Sequence, residues 1–329
     1  HLDPGAPLIA ETGGLNAMIV DSTALHEQAV RDVIASAFQS AGQRCSALRC
    51  LYIQADVREA FMRMLLGAMD ELRLGDPWRL ATDVGPVIDA EAAATINAHI
   101  ETARRNGRLV KQVGAPDTGH FVGPAVIEVD GIEALAQEIF GPVLHVASYR
   151  ADELDTVIER INASGYGLTF GVHTRIEDRV QHIVDRVHAG NLYVNRNQIG
   201  AIVGSQPFGG EGRSGTGPKA GGPDYVTRFA TPWPAPMIDT PTGPADADPV
   251  AIQQALDAIP EAAMPATGMD MPGPTGESNR LYHVPRAPLL CLGPGPEAAA
   301  EQRRQFEALG GRAVIVEDRP AAAALRSLN

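Results

Sequence analysis

The chain is poor in cysteine, in basic residues and in long apolar runs. Its three cysteines, Cys45, Cys50 and Cys291, are too few and too odd in number for a disulfide framework, which favours a reducing, cytoplasmic setting. Lys and Arg total 27 against 40 Asp and Glu, a net charge of -13. This balance argues against nucleic acid as a partner, because phosphate binding needs basic patches. No apolar run approaches the ~20 residues that span a bilayer, so no membrane span is expected.

The sequence is typical of a chain truncated at both ends. It opens on HLDPGAPLIAETGG without an initiator Met and stops on LRSLN directly after an Ala-rich run. We therefore expect a piece of a longer protein, with an engineered or processed start as the alternative. The 329 residues suffice for one large or two ordinary domains, and the apolar fraction of 44% is that of a globular protein.

Strand-like and helix-like segments alternate from residue 8 to about residue 200. The predicted strands are 8–11, 16–20, 48–54, 109–113, 125–129, 143–149, 168–174 and 191–195. The predicted helices are 22–40, 57–72, 90–106, 152–163 and 176–188, and Asp21 and Ser22 are N-cap candidates for the first. Helices between strands at this spacing predict an α/β domain with a largely parallel sheet.

The regular pattern stops in a Gly-rich segment, residues 205–230, that ends in the strand-like YVTRFA. The following stretch, 231–276, is Pro-rich and acidic and is typical of an extended linker, with one short helix candidate at 249–258. PLLCL, EAAAEQRRQFEAL and RAVIVED then predict a strand, a helix and a second strand. They predict a small second α/β unit.

Two glycine-rich turns imitate nucleotide-binding motifs. GGEGRSG contains G-x-G-x-x-G at Gly210, Gly212 and Gly215, but that fingerprint works only between a strand and the N-terminus of a helix. In the turn after PLLCL, Pro294 and Pro296 remove N–H donors that a pyrophosphate would need. We interpret both turns as structural. The histidines and cysteines show no metal-ligand spacing, so no metal is predicted.

The stretch FQSAGQRCSA places Cys45 in a loop, behind a helix and a Gly-Gln-Arg turn. Arg44 is its neighbour, and a nearby cation favours the thiolate, the form that attacks carbonyls. A small buried filler is the competing interpretation, because free cysteines are often buried. Spacing alone leaves both interpretations open.

Five segments occur in the order seen in the aldehyde dehydrogenase superfamily: IAETGG, FQSAGQRCSA, GDP…TDVGPVID, QEIFGPVLHV and QPFGGEGRSGTG. The chain resembles that superfamily, and the resemblance implies that Cys45 is the nucleophile. It also implies that Glu11 is the general base for the water that hydrolyses the thioester. Glu138 and Phe140, with Gly13, match residues at the nicotinamide end of bound NAD.

The segments NQIGAIVGSQPFGG and RCSA resemble, more narrowly, the L-glutamate γ-semialdehyde dehydrogenases, including the dehydrogenase module of bifunctional proline utilization A proteins. The resemblance implies NAD-dependent oxidation of L-glutamate γ-semialdehyde to L-glutamate. Gly200 and Ala201 match a loop that binds the substrate's α-carboxylate through backbone N–H groups, and Phe208 matches an aromatic that packs on the aliphatic stem. Ser46 would add a hydroxyl and Arg44 a positive field. A Gly-rich turn with no ligand is the alternative.

The tail PGPTGESNRLYHVPRAPLLCLG resembles the non-catalytic C-terminal extension of the longer proline utilization A proteins. The implied domains are the end of a dinucleotide-binding domain at 1–10, a catalytic domain at 11–208, a Gly-rich segment with an oligomerisation flap at 209–230, a linker at 231–276 and a partial C-terminal domain at 277–329. We expect a homo-oligomer formed through 224–230. We also expect a proline dehydrogenase domain upstream. FAD would bind in that domain and not in this chain.

The family's main dinucleotide-binding segments precede ETGG, as does the Asn of its oxyanion hole. We therefore expect the cofactor-binding half to be largely absent and the chain alone to bind NAD poorly and turn over little. The alternatives are a non-catalytic structural fragment and an aldehyde dehydrogenase of another substrate range.

Overall fold

The computed structural model describes residues 8–230, 248–260, 268–284, 288–293, 295–308 and 311–316. These residues belong to two compact units, one within 8–230 and the other within 248–316. Residues 1–7 and 317–329 and much of the predicted linker lie outside the described residues. The bounds of the five predicted domains stay predictions.

The first unit contains helices and strands close to the predicted segments. Its helices are α1 (His26–Phe38), α2 (Arg58–Asp70), α3 (Ala90–Arg105), α4 (Leu154–Ala163), α5 (Glu177–Val184) and α6 (Thr227–Ala230). Its strands are β1 (Ala17–Val20), β2 (Cys50–Gln54), β3 (Leu109–Gln112), β4 (Ala125–Glu128), β5 (Val143–Tyr149), β6 (Tyr166–Gly167), β7 (Thr169–His173), β8 (Asn191–Val194) and β9 (Glu211–Gly212).

Seven of these strands form one sheet in the order β3-β4-β5-β2-β1-β7-β8. Every neighbouring pair is parallel except the edge pair β3–β4, which is antiparallel. The predicted α/β fold with a parallel-rich sheet is confirmed.

Helices cover both faces of this sheet. The side chains of β1 alternate: Met18 and Val20 belong to a core shared with α1, α2 and α3, and Ala17 and Ile19 to a core shared with α4 and α5. Because both faces are buried, the inner strand β1 is apolar at every position, as expected for a parallel sheet between two helical layers.

Amphipathic spacing accounts for the helices. In α2, Phe61, Leu65 and Met69 recur every four residues and are all buried, the stripe expected of a helix packed on one face. The Asp89 carboxylate begins α3 by accepting from the Ala92 N–H at 2.8 Å, which satisfies a donor that the helix leaves unpaired.

The predicted N-caps of the first helix are wrong. Helix α1 begins at His26, and Leu25 is its N-cap residue. The Asp21 carboxylate instead accepts from the N–H of Thr23 at 2.6 Å and from Arg179. Asp21 therefore closes a turn and binds an arginine from α5, contacts that outcompete helix capping.

Two predicted strands are also wrong. Residues 8–11 form no strand, and Glu11 makes one isolated bridge to Gly215. YVTRFA ends in helix α6, with turn bonds such as the one from the Arg228 N–H to the Tyr225 carbonyl. A strand needs a neighbouring edge, and no described residue pairs with this segment as a ladder, so local bonds determine its conformation. The dimer expected through 224–230 stays a prediction.

The described part of the second unit contains helices α7 (Pro249–Asp257) and α8 (Gly295–Ala308) and strands β10 (Met269–Met271), β11 (Asn279–Leu281), β12 (Leu289–Cys291) and β13 (Ala313–Ile315). Strands β12 and β13 are parallel with α8 between them, which confirms the predicted strand–helix–strand. The helix predicted at 249–258 is confirmed as well. The antiparallel pair β10–β11 was not predicted.

Within the described residues, no helix is long and apolar enough to cross a membrane. The same residues contain no group of three or more His, Cys, Asp or Glu side chains arranged to hold a metal ion.

In the first unit the buried His145 is paired with the partly buried His99. His145 Nδ1 lies 3.0 Å from the Arg49 carbonyl oxygen and must donate to it, so its Nε2 accepts from His99 Nε2 at 2.9 Å. This arrangement needs a neutral His145 ring, because its Nε2 must keep the lone pair that accepts. Burial, followed by the neighbouring His99, lowers the pKa of His145 from 6.5 to about 4.

We predict that acidification destabilises this unit through His145. Because the pKa is lower in the folded state, the unfolded state binds more protons as the pH falls from 6.5 towards about 4. At about pH 5 the loss relative to neutral pH should be about 2 kcal/mol. The free energy of unfolding, measured with urea at both pH values, should fall by this extra amount in the wild type and not in His145→Gln. An equal fall in the two proteins would contradict the assignment.

Candidate active site

A left-handed turn brings Cys45 to the surface between α1 and β2. Ser40, Ala41 and Gly42 have positive φ angles of 57, 54 and 65°. A Cβ on Gly42 would lie 2.1 Å from the Gly141 carbonyl oxygen, so both its φ angle and its surroundings require glycine. Cys45 follows this turn and is exposed, whereas Cys50 is buried in the sheet.

Buried polar side chains hold the backbone of this turn. Asn16 Nδ2 donates to the Cys45 carbonyl at 2.7 Å and to the Ala47 carbonyl at 2.9 Å. The Ser46 carbonyl accepts from Thr169 Oγ1 and from Gln198 Nε2, both at 3.2 Å. Since each of these bonds goes to a main-chain oxygen, the turn is fixed without using the Cys45 thiol.

The site lies at the amino ends of parallel strands. Asn16 directly precedes β1, the Cys45 turn precedes β2, and Glu138 lies shortly before β5. Because β1, β2 and β5 are parallel neighbours, their amino ends meet at one edge of the sheet. The topology therefore brings together loops that are about a hundred residues apart in sequence.

Glu138 is held by a buried cation. Its Oε1 accepts from Arg49 Nε at 3.2 Å and Nη2 at 3.0 Å, and its Oε2 accepts from the Gly14 N–H at 3.1 Å. Gly13 has a φ of 109°, and a Cβ there would lie 2.6 Å from Glu138 Oε2. Gly13 therefore leaves room for this carboxylate, and its predicted cofactor role stays a prediction.

Phe140 presents its ring beside the same arginine. The Arg49 guanidinium carbon lies 5.4 Å from the ring centroid, and Phe140 is 47% exposed. An open aromatic face can stack on a flat heteroaromatic ring, and the Glu138 carboxylate keeps acceptor capacity beyond its three bonds. These two residues fit the nicotinamide and ribose end of NAD.

Glu11 lies against the Gly-rich segment. Its Oε2 accepts from the Gly210 N–H at 3.3 Å. Partial burial raises the pKa of Glu11, and the Gly210 N–H and the positive charge of Lys219 oppose that rise. The G-x-G-x-x-G turn thus faces a carboxylate, whose negative charge disfavours a phosphate beside it, in agreement with its interpretation as structural.

The electrostatic neighbours of Cys45 differ from those expected. Partial burial of the thiol raises its pKa, the backbone N–H groups of Ser46 and Cys45 oppose this, and the charges of Glu138 and Glu11 raise it further. The cation that interacts with the thiol is Arg49, while Arg44 Nε donates to Ser40 Oγ at 3.3 Å. The expectation that Arg44 lowers this pKa is wrong, because its guanidinium group bonds to Ser40.

The residues predicted to bind substrate are distributed over three loops. Ser46 is buried directly behind Cys45. Gly200 is exposed with a φ of 73°, Ala201 is half-buried, and the bond from Gln198 to the Ser46 carbonyl ties their loop to the cysteine turn. Phe208 is half-buried and exchanges two backbone bonds with Ala220, at 2.9 and 2.8 Å. Their roles stay predictions.

Sequence reasoning missed the residues that support this site. Asn16, Arg49, Thr169 and Gln198 are all at most 3% exposed. A signal was available for two of them, because Asn16 adjoins the apolar AMIV and Arg49 stands inside ALRCLYI. A polar or charged residue within a buried apolar segment needs a hydrogen-bond or ion-pair partner, but the segment does not identify that partner.

Comparison with known families decides the class of the protein. The family model described as "Aldehyde dehydrogenase family" matches residues 3–232. The chain belongs to the aldehyde dehydrogenase family. This confirms the resemblance drawn from the five segments, and the match includes every predicted site residue of this aldehyde dehydrogenase.

Relatives of this aldehyde dehydrogenase fall into two groups. The bifunctional protein PutA of Salmonella typhimurium is 48% identical over an alignment that covers 95% of this chain and 26% of PutA. The 1-pyrroline-5-carboxylate dehydrogenase of Geobacillus thermodenitrificans is 42% identical over 222 residues, 67% of this chain and 43% of that protein. The chain therefore spans about a quarter of the PutA relative and less than half of the dehydrogenase.

A solved structure supports the fold. The 1-pyrroline-5-carboxylate dehydrogenase from Thermus with bound NAD matches 67% of this chain and 43% of that chain, at 36% sequence identity and a TM-score of 0.63. The chain is thus a member of the aldehyde dehydrogenase family that is similar to PutA and to 1-pyrroline-5-carboxylate dehydrogenases.

Proposed function

We propose that this chain carries the thioester-forming half of an enzyme that oxidises L-glutamate γ-semialdehyde to L-glutamate with NAD. One observation carries the proposal. The Cys45 turn is held by three buried side chains through main-chain bonds alone, which leaves an exposed thiol in electrostatic contact with two carboxylates, Glu11 and Glu138.

The proposed chemistry uses Cys45 first as a nucleophile. The sulfur forms a bond to the aldehyde carbon, the carbonyl π bond breaks, and the thiol proton passes by way of solvent to the carbonyl oxygen to give a thiohemiacetal. NAD, when bound, supplies the acceptor for the hydride that leaves this carbon. Glu11 then takes a proton from the water that hydrolyses the Cys45 thioester, and the partial burial that raises its pKa makes it a stronger base.

Glu138 and Phe140 would hold the nicotinamide and ribose end of NAD, as their acceptor capacity and open ring allow. The NAD-bound relative supports the choice of cofactor. In the described residues, the only G-x-G-x-x-G turn faces Glu11, which supports the expectation that the rest of the dinucleotide needs sequence outside this chain.

The second unit favours a PutA-type parent protein. The PutA relative matches 95% of the chain, whereas the stand-alone dehydrogenase matches 67%, a share close to that of the first unit. We therefore propose that the chain belongs to a longer bifunctional protein with an FAD-dependent proline dehydrogenase domain, located in the cytoplasm and associating through residues 224–230.

We predict that the Gly200–Ala201 loop selects for the substrate's α-carboxylate. In the full-length protein that contains this chain, kcat/KM for γ-semialdehyde should exceed that for pentanal, an uncharged aldehyde of similar length, by about 100-fold or more. Gly200→Ala should lower only the first value, by about 10-fold, because Gly200 has a φ of 73° and alanine is strained there. No atom lies within 4 Å of the added Cβ, so a steric clash would not explain the loss.

Equal efficiency on both aldehydes would overturn the carboxylate role of this loop and favour another substrate range. Absence of aldehyde oxidation in the full-length protein would favour the non-catalytic alternative.

A further inference from the structure

The Gly-rich segment around Gly210 borders the side chain of Glu11. Its glycines enclose the carboxylate of Glu11: a Cβ on Gly209 would lie 3.1 Å from Oε1, and a Cβ on Gly215 would lie 3.0 and 3.2 Å from Oε1 and Oε2. The Gly210 N–H donates to Oε2 at 3.3 Å. A side chain at either glycine would crowd the Glu11 carboxylate, so the glycines leave room for it.

Backbone bonds fasten the Glu11 segment to this loop. The Thr12 N–H donates to the Ser214 carbonyl, and the Thr216 N–H donates to the Ala10 carbonyl, both at 3.1 Å. One bond lies on each side of Glu11, so its main chain cannot shift relative to the loop without breaking them. Motion of the carboxylate is therefore confined to its side chain.

Lys219 flanks the same glycine from the other side. The Cβ position of Gly209 that is 3.1 Å from Glu11 Oε1 is also 3.2 Å from Lys219 Cα and 3.4 Å from Lys219 Cγ. The Lys219 ammonium donates to the Gly190 carbonyl and to Asn191 Oδ1. Gly209 thus borders both Glu11 Oε1 and the stem of Lys219, and the positive charge of the anchored ammonium acts on the Glu11 carboxylate.

We propose that Lys219 is a positioning residue for Glu11: its anchored positive charge keeps the carboxylate ionised and seated in the Gly-rich loop, ready to act as the base. This inference rests on the proposed function, in which Glu11 deprotonates the hydrolytic water. In that step a water proton passes to a Glu11 oxygen, and the water oxygen forms a bond to the thioester carbon. The carbon–sulfur bond breaks and its electron pair returns to Cys45, with no change in oxidation state.

The charges around the pair agree with this role. Burial raises the pKa of Glu11, while the Gly210 N–H and Lys219 lower it. Burial lowers the pKa of Lys219 to about 8, and Glu211 and Glu11 oppose that fall. Cys45 is the other titratable group that interacts with Glu11. Removing the Lys219 charge should therefore raise the pKa of Glu11 and leave less of it ionised near neutral pH.

The test is single-turnover kinetics of Lys219→Met in the full-length protein, with γ-semialdehyde and NAD. We expect an NADH burst of wild-type amplitude and a thioester on Cys45 that accumulates and is detected by intact-protein mass spectrometry. Its hydrolysis should be about 10-fold slower, and the acid limb of the hydrolysis rate should move up by about 0.5 to 1 pH unit. Lys219→Arg should restore both values, because it keeps the charge.

Arg213→Met is the matched control, since Arg213 is a cation of the same loop that lies over the Tyr166 ring, 5.9 Å from its centroid. It should leave the rate and the acid limb of hydrolysis unchanged. Wild-type hydrolysis in Lys219→Met, or equal slowing in Lys219→Met and Lys219→Arg with an unshifted limb, would overturn the role of Lys219.

Glu11→Gln separates this inference from the proposed function. If Glu11→Gln hydrolyses the thioester at the wild-type rate, the assignment of Glu11 as the base is wrong, and the role of Lys219 fails with it. If Glu11→Gln is slow and adding Lys219→Met slows it no further, the two residues act together as proposed. If the double variant is slower by the full factor of Lys219→Met, Lys219 acts independently of Glu11 and only this inference fails.

Discussion

Replacing Cys45 with alanine should lower aldehyde oxidation by the full-length protein by about 10⁴-fold or more, without a measurable loss of stability. Activity should fall because the sulfur is the atom proposed to bond to the substrate. Stability should hold because the thiol is exposed and the turn is fixed by bonds from Asn16, Thr169 and Gln198 to main-chain oxygens. Steady-state rates and urea unfolding measure the two effects.

The other cysteines are matched controls for this experiment. Cys50 and Cys291 are buried, so Cys50→Ala and Cys291→Ala should keep most of the activity. Iodoacetamide should label Cys45 first in the native protein. Because burial and two carboxylates raise the Cys45 pKa, labelling should accelerate with pH well into the alkaline range. More than about 1% of wild-type activity in Cys45→Ala would rule out this nucleophile.

Replacing Arg49 with methionine should lower the free energy of unfolding of the first unit by about 3 to 5 kcal/mol. Arg49 is fully buried and donates to Glu138, to the Gly141 carbonyl and to the Arg44 carbonyl. Methionine fills much of the space but leaves the Glu138 carboxylate without its counter-charge. The Glu138 side chain is 16% exposed, so limited hydration places the expected loss towards the lower end of this range.

The pair Arg58–Glu128 provides the control for Arg49. Its side chains are 33% and 46% exposed, and Arg58→Met should therefore cost less than about 1 kcal/mol. Urea unfolding of both variants gives the comparison. If Arg49→Met does not fold, Arg49→Lys, which keeps the charge but loses the bidentate geometry, should fall between it and the wild type. Equal losses in Arg49→Met and Arg58→Met would show that the buried pair contributes no special stability.

Periodic segments were predicted well because their structure depends on one local pattern. The stripe of Phe61, Leu65 and Met69 in α2 is a case where apolar spacing and burial agree. The strand predicted at YVTRFA was wrong for a physical reason. Its β-branched and aromatic residues favour a strand only when the edge of a neighbouring strand is available. The prediction of Asp21 as an N-cap was wrong because a carboxylate can bond several partners. Its bond to Arg179 depends on helix α5, which lies far along the chain.

The candidate site was predicted from motifs, and its supports were not. Cys45, Glu11 and Glu138 were predicted through segments that resemble a family, and in the structure the charges of both carboxylates act on the Cys45 thiol. Asn16 and Gln198 escaped notice because the Cys45 turn recruits them from 29 and more than 150 residues away. Such contacts depend on which strand ends are neighbours in the sheet.

By itself, the sequence determined the family and the α/β alternation and led to the prediction of Cys45 as the nucleophile, because motifs and periodicity are local properties of a chain. Only the tertiary structure decided which charges act on that cysteine. Arg44 is adjacent in sequence but bonds to Ser40, whereas Arg49 and two distant carboxylates interact with the thiol. The physical reason is that Coulomb energies depend on distance through space and on burial, and neither is set by adjacency along the chain.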